Sequence, residues 1–127
     1  KNGGPAQASQ AHIVIAGSGL ASLALAHRLT QLLAGAKITP IDAKEVHNCQ
    51  PGYTLVATGA WPESKVIDRN TGFMPAGVHW VKEMVAEFDP AANAVATAGG
   101  QRMAYDALVG VFVWPLLALR TGAVRAA

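Results

Sequence analysis

The stretch that most constrains this fold runs from His12 to Asp42, HIVIAGSGLASLALAHRLTQLLAGAKITPID. Ile13, Val14, Ile15 and Ala16 lead into Gly17-Ser18-Gly19-Leu20-Ala21-Ser22. A helical pattern follows, and a second short β-like run, Lys37 to Ile41, ends on Asp42. Strand, glycine turn, helix, strand and acid is the order of a βαβ dinucleotide-binding unit. Gly17 lets the chain turn sharply as it leaves the strand. Gly19 carries no Cβ, so backbone can lie against a pyrophosphate. The helix starting near Leu20 points its unpaired N–H groups and positive dipole end at that anion. Asp42 lies 25 residues past Gly17, close to the roughly 20-residue spacing at which an acid meets a ribose hydroxyl. Ser22 stands where such loops carry a third small residue for close helix–strand packing, and serine fits there at some loss. The residues alone also allow an ordinary βαβ unit with a glycine turn and no ligand.

A chain of 127 residues fits one domain with a modest core. It is 51% hydrophobic and 14% charged, richer in apolar residues than an average soluble domain, which suits a sheet buried on both faces or a portion of a larger protein. The formal charge of +2 and the lack of a basic run give no argument for nucleic acid. Cys49 is the only cysteine, so neither an internal disulfide nor a cysteine-rich metal site can form. His12, His27, His47 and His79 are too far apart in sequence to make a local metal motif.

Along the chain, residues 1–11 read as a disordered tail, 12–113 as the domain, and 114–127 as a tail of unassigned structure. His12 to Ala16 is expected as a central strand. Leu20 to Ala34 is expected as a helix with Leu25, Ala26, Leu29, Leu32 and Leu33 as its apolar stripe and Gly35 as its stop. Lys37 to Ile41 is a second strand, in which Pro40 should cause distortion. Residues 43–77 read as a long functional excursion with one short helical segment and with Gln50-Pro51-Gly52-Tyr53 near the ligand. Cys49 has no visible activating pair and reads as a small hydrophobe. Val78 to Phe88 alternates like a long half-buried strand, residues 94–105 read as a hairpin turning at Gly99-Gly100, and Ala107 to Val113 as a last apolar strand. The longest apolar run, Ala107 to Leu119, is interrupted by Pro115 and is too short to span a bilayer.

Three stretches carry a resemblance to the two-dinucleotide-binding-domain flavoproteins, the pyridine nucleotide–disulfide oxidoreductase superfamily, and within it to sulfide:quinone oxidoreductases. They are Gly17-x-Gly19-x-x-Ser22-x-x-x-Ala26-x-x-Leu29, then His47-Asn48-Cys49-Gln50-Pro51-Gly52-Tyr53-Thr54-Leu55-Val56. The third comprises Gly77-Val78-His79-Trp80-Val81 through Asp89-Pro90, with Tyr105-Asp106-Ala107-Leu108-Val109. The resemblance implies an α/β fold: a Rossmann-like βαβ FAD-binding unit with a parallel sheet and a β-meander or hairpin crossover. It further implies FAD as cofactor, with pyrophosphate at Gly17, Ser18, Gly19, Leu20, Ala21 and Ser22. Adenosine ribose falls at Asp42 and Ala43, Gln50 and Pro51 near the flavin end, and the Val85 backbone at the adenine. The likeness covers roughly residues 12 to 109. Where the family's strand closes in Ala-Thr-Gly, this chain reads Val109-Gly110-Val111-Phe112-Val113-Trp114, so the expectation is an N-terminal portion, truncated or shifted near residue 110.

By this resemblance the parent reaction oxidises sulfide through cysteine persulfides and passes two electrons through FAD to a quinone, on a protein peripheral to the bacterial membrane. No residue of this chain can take the sulfide role, so no catalytic residue is assigned. The alternatives are an NAD(P)-binding module of a dehydrogenase or reductase, compatible with Asp42, and a non-catalytic portion whose apolar surface mediates association. An uncovered apolar strand at Ala107 to Val113 makes self-association an expected property.

Overall fold

The computed structural model describes residues 10–111. Most of the expected 1–11 tail, the end of the last expected strand and the whole 114–127 tail lie outside the described residues.

The apolar run beside the glycine turn forms strand β1 (His12–Ala16), followed by helix α1 (Leu20–Leu32) and strand β2 (Lys37–Ile41). β1 pairs in parallel with β2, from His12 opposite Lys37 to Ala16 opposite Ile41. On its other side β1 takes strand β8 (Ala107–Gly110), also in parallel, with Ile13 opposite Ala107. A strand flanked on both sides and covered on both faces has to be apolar throughout. Val14 and Ile15 are accordingly fully buried, and each such side chain contributes roughly 1.5–3 kcal/mol on burial. Ile15 packs with Ala26 and Ile38 under α1, while Val14 packs with Ile41, Val81, Val95 and Met103 on the opposite face.

Pro40 is buried in β2, opposite Ile15, and pairing with β1 continues without interruption through Ile41. The carbonyl of Pro40 accepts from Val81 N–H at 2.8 Å. In an extended strand a residue's N–H and C=O share a side, so the donor missing at Pro40 falls on the outer edge, away from β1. There residues 79–81 run alongside β2 in a short irregular pairing that includes the bridge between Ile41 and Val81 and needs no donor from Pro40. The expected distortion is thereby avoided.

Helix α1 ends two residues earlier than expected, with Gly35 at φ +89° just beyond. Its buried face is Ser22, Leu23 and Ala26, with Leu25 and Leu29 half-buried. Leu32 and Leu33 do not belong to the buried stripe: they are 60% and 44% exposed, and Leu33 already lies outside the helix as its C-cap.

The excursion carries more structure than the sequence suggests. Strands β3 (Val46–Asn48) and β4 (Ile67–Arg69) pair antiparallel, and between them lie a short 3₁₀ turn at Gln50–Gly52, the helix α2 (Tyr53–Ala57) and a second turn at Glu63–Lys65. A third turn, Asn70–Gly72, leads back toward α1, where His27 Nε2 donates to Phe73 O at 2.8 Å. The long strand expected over Val78 to Phe88 is two pieces. His79 and Val81 follow β2 through hydrogen bonds to Ile38 O and Pro40 O. The regular strand β5 (Val85–Asp89) begins only later and pairs with β6 (Ala94–Thr97), which pairs with β7 (Arg102–Ala104). One segment cannot extend both the parallel and the antiparallel sheet, so it breaks between them. At the hairpin turn only Gly100 has positive φ, at +87°. At Gly99 a Cβ would lie 2.6 Å from the end of the Glu83 side chain, which can swing aside.

Candidate functional site

The site forms where β1, β2 and β8 end on the same edge of the sheet, which is where ligands bind in open parallel sheets. Gly17 is held from both sides. Its N–H donates to Ile41 O at 2.9 Å, continuing the ladder to β2. A Cβ on it would lie 2.0 Å from Val111 O, and its φ of +114° is one that L residues rarely adopt. The turn is therefore specific to glycine at this position. Val111 is itself fixed by donating to Ala16 O at 2.8 Å. Ser22 uses the same carbonyl: its Oγ donates to Val111 O at 3.4 Å. The serine in the third small position thus joins helix to strand by a long hydrogen bond as well as by contact.

Gly19 has an ordinary extended backbone, φ −68°, and a Cβ on it would meet nothing within 4 Å. The space a side chain would occupy is open, beside the first turn of α1. The first helical bond runs from Leu23 N–H to Gly19 O at 3.0 Å, so the N–H groups of Leu20, Ala21 and Ser22 precede the ladder and face the helix start. No acidic side chain lies in that first turn. The dipole end is therefore open to an external anion.

Asp42 reaches this loop. Its Oδ2 accepts from Ser18 N–H at 2.8 Å and its Oδ1 from Lys44 N–H at 2.8 Å. Each oxygen keeps a further lone pair, and the residue is only half-buried. Trp80 Nε1 donates to Asp42 O at 3.1 Å, and Lys82 lies over the Trp80 ring and pairs with Glu45 at 3.0 Å. Asn70 donates from Nδ2 to Ser18 Oγ at 3.0 Å and to Lys44 O at 2.8 Å.

Of the residues named from sequence, Gly17, Ser18, Gly19, Leu20, Ala21, Ser22 and Asp42 are brought together, with Ala43 exposed beside Asp42. Gln50 and Pro51 are not joined to this cluster. They are exposed in the turn after β3, whose Cys49 N–H bonds to Val66 O. Gly52 is buried there, and a Cβ on it would lie 2.5 Å from Val66 Cγ1. Cys49, read from sequence as a small hydrophobe without an activating pair, is a free and exposed cysteine. Val85 sits half-buried on β5 and packs against the cluster containing Ile41 and Val81. Asn70 and Trp80 were not anticipated. Asn70 lies 52 residues from Ser18, inside a stretch with no periodicity to flag it, and Trp80 lies 38 residues from Asp42, with nothing local in the sequence to join the two.

Comparison with known proteins agrees with this geometry. Residues 11–110 match the pyridine nucleotide-disulphide oxidoreductase family. The mitochondrial sulfide:quinone oxidoreductase of Dictyostelium discoideum is 35% identical over 98 residues, covering 76% of this chain and 22% of that protein. The mouse mitochondrial enzyme is 28% identical over 97 residues, with the same coverage of 76% and 22%. The crystal structure of the Aquifex aeolicus sulfide:quinone oxidoreductase superposes with a TM-score of 0.67 at 27% identity, covering 79% of this chain and 24% of that one. This chain therefore spans less than a quarter of the length of these relatives. On the match over residues 11–110, with the strand–glycine-loop–helix–strand–acid arrangement in place, the chain belongs to the pyridine nucleotide-disulphide oxidoreductase family, in its sulfide:quinone oxidoreductase-like, dinucleotide-binding part.

Proposed function

We propose that this chain binds FAD and supplies the FAD-binding portion of a flavin-dependent oxidoreductase of the sulfide:quinone type. The observation that carries the reading is the meeting of Asp42 with the glycine loop, Ser18 N–H to Asp42 Oδ2 at 2.8 Å, beside the open space at Gly19. The two groups that a dinucleotide needs, an anion cradle and a ribose acceptor, lie next to each other at one sheet edge. A bound flavin supplies two-electron redox chemistry. The residues here bind and orient it: the N–H groups at the start of α1 receive the pyrophosphate and Asp42 accepts from ribose hydroxyls. Gln50, Pro51 and Val85 are proposed to meet the flavin and adenine ends on the resemblance alone.

Sulfide and a quinone are the proposed substrates of the whole activity, because the Dictyostelium and mouse relatives carry those names. A protein peripheral to a membrane suits a quinone acceptor, and among the described residues no helix is long and apolar enough to cross a bilayer. The single cysteine cannot form a redox pair within this chain, so no sulfide-oxidising residue is assigned to it.

Titration of the purified chain with FAD and, separately, with NAD⁺, followed by protein fluorescence and by the visible flavin bands, tests the reading. Saturable FAD binding with weaker NAD⁺ binding supports it. Tighter binding of NAD⁺ favours a nicotinamide-nucleotide module, and binding of neither overturns the dinucleotide reading.

A further inference from the structure

Asn70 closes a ring of hydrogen bonds around the edge of the proposed site. Ser18 N–H donates to one oxygen of Asp42 and Lys44 N–H to the other. Asn70 Nδ2 then donates both to Lys44 O and back to Ser18 Oγ. The ring ties three segments far apart in sequence: the glycine loop, the turn leaving β2, and the third turn of the excursion. Its closing member is anchored, since Asn70 N–H donates to Glu45 O at 2.9 Å and the residue is 1% exposed.

The chemistry of Asn70 suits a positioning role better than a packing role. Both of its amide hydrogens have acceptors, yet its Oδ1 is buried without a partner. A buried acceptor left unpaired is unfavourable, so the side chain is a poor choice for filling space. It is well suited to reaching two oxygens at once with two donors, which no carboxylate, hydroxyl or apolar side chain can do. Ser18, 2% exposed, has its hydroxyl oxygen held as an acceptor in this way.

We propose that Asn70 is a positioning residue for the dinucleotide, fixing the distance between the phosphate-binding loop and the ribose-binding acid before the ligand arrives. The proposal rests on the dinucleotide reading above. A ligand spanning both halves of the site gains from a separation set in advance, because less ordering remains to be done on binding. A ligand that meets only the acid gains nothing from it.

The test uses the full chain and two probes, ADP and adenosine, titrated by NMR into wild type, Asn70→Ala, Asn70→Asp and Ser18→Ala. Far-UV circular dichroism reports the fold of each variant. Asn70→Ala is expected to weaken ADP binding about tenfold, as for one lost hydrogen-bonding group, and adenosine binding by less than about twofold. Asn70→Asp, equal in size but without the donors, should lose ADP affinity as well. Because Asn70 acts through Ser18, the double variant Ser18→Ala/Asn70→Ala should bind ADP no worse than the weaker single variant. Unchanged ADP affinity in folded Asn70→Ala overturns the proposal. Equal losses for ADP and adenosine also overturn it, since they would mark Asn70 as merely structural. A wild type that binds neither probe overturns the dinucleotide reading and this proposal with it, whereas a wild type that binds ADP while Asn70→Ala binds equally well sinks the proposal alone.

Discussion

Replacing Gly17 by alanine should damage the fold, whereas replacing Gly19 by alanine should not. At Gly17 the added Cβ meets two obstacles. The backbone φ of +114° is strained for any L residue, at about 1–3 kcal/mol. The Cβ also falls 2.0 Å from Val111 O, so the end of β8 must withdraw. That withdrawal disturbs the bond from Val111 N–H to Ala16 O and the one from Ser22 Oγ, each worth about 0.5–1.5 kcal/mol net. Together the loss is about 2–6 kcal/mol, a large part of the roughly 5–15 kcal/mol that stabilises an ordinary domain. Gly19 has φ −68° and open space around its Cβ direction. Alanine there costs less than about 1 kcal/mol, the scale of a weaker helix N-cap. Urea unfolding followed by circular dichroism measures both. A Gly17→Ala variant no less stable than Gly19→Ala would show that the glycine loop and β8 are not in the contact described, and the edge of the site would have to be redrawn.

Other consequences follow from the same geometry. Gly19→Val should retain the sheet and helix by circular dichroism yet lose FAD binding, because its branched side chain fills the open approach; a variant that still binds flavin would show that the loop does not cradle phosphate. Asp42→Ala should weaken FAD binding by about 1–3 kcal/mol through loss of a charged acceptor, and equal affinities in a fluorescence titration would remove Asp42 from the site. The Arg102 guanidinium, helped by the Ala92 N–H, holds the Asp89 carboxyl below its ordinary value; its contribution to stability is thus present above the unfolded-state pKa and is lost as pH falls through the lower folded value. Arg102→Gln should raise the Asp89 midpoint in an NMR pH titration, and an unmoved midpoint would refute the pairing. Among the described residues β8 pairs on one side only, so the chain should self-associate in sedimentation at rising concentration, with a concentration-independent monomer as the contrary result.

The legible part of this molecule is the part whose chemistry is contiguous. Ile13 to Ala16, the glycine pair, the helix start and Asp42 announce themselves because strand, turn, helix and acid follow one another within a few dozen residues. Their assembly is then dictated by the right-handed parallel crossover. The helix end is harder to read, because Leu32 and Leu33 satisfy the periodicity of the stripe and yet stay largely exposed in the fold. The strand at Val78 to Phe88 misled for a related reason: alternation describes extended chain, and cannot say that the same stretch leaves one sheet for another. Asn70 was out of reach. A buried amide that serves a loop 52 residues away leaves no local pattern, and only the folded chain brings it to Ser18. The specific segment at Gln50-Pro51 was easy to read as a family mark, yet its place beside a flavin depends on a ligand whose far end reaches beyond the residues that meet at Asp42.

The most direct test of the account is a map of backbone amide shifts as FAD is added to the isotopically labelled chain. If the edge of the parallel sheet holds the dinucleotide, the largest changes fall at Gly19, Leu20, Ala21 and Ser22, where the N–H groups precede the first helical bond, and at Asp42 and Ala43. Saturating FAD that leaves those amides unmoved, or that shifts a different surface more strongly, would contradict the assignment of the site.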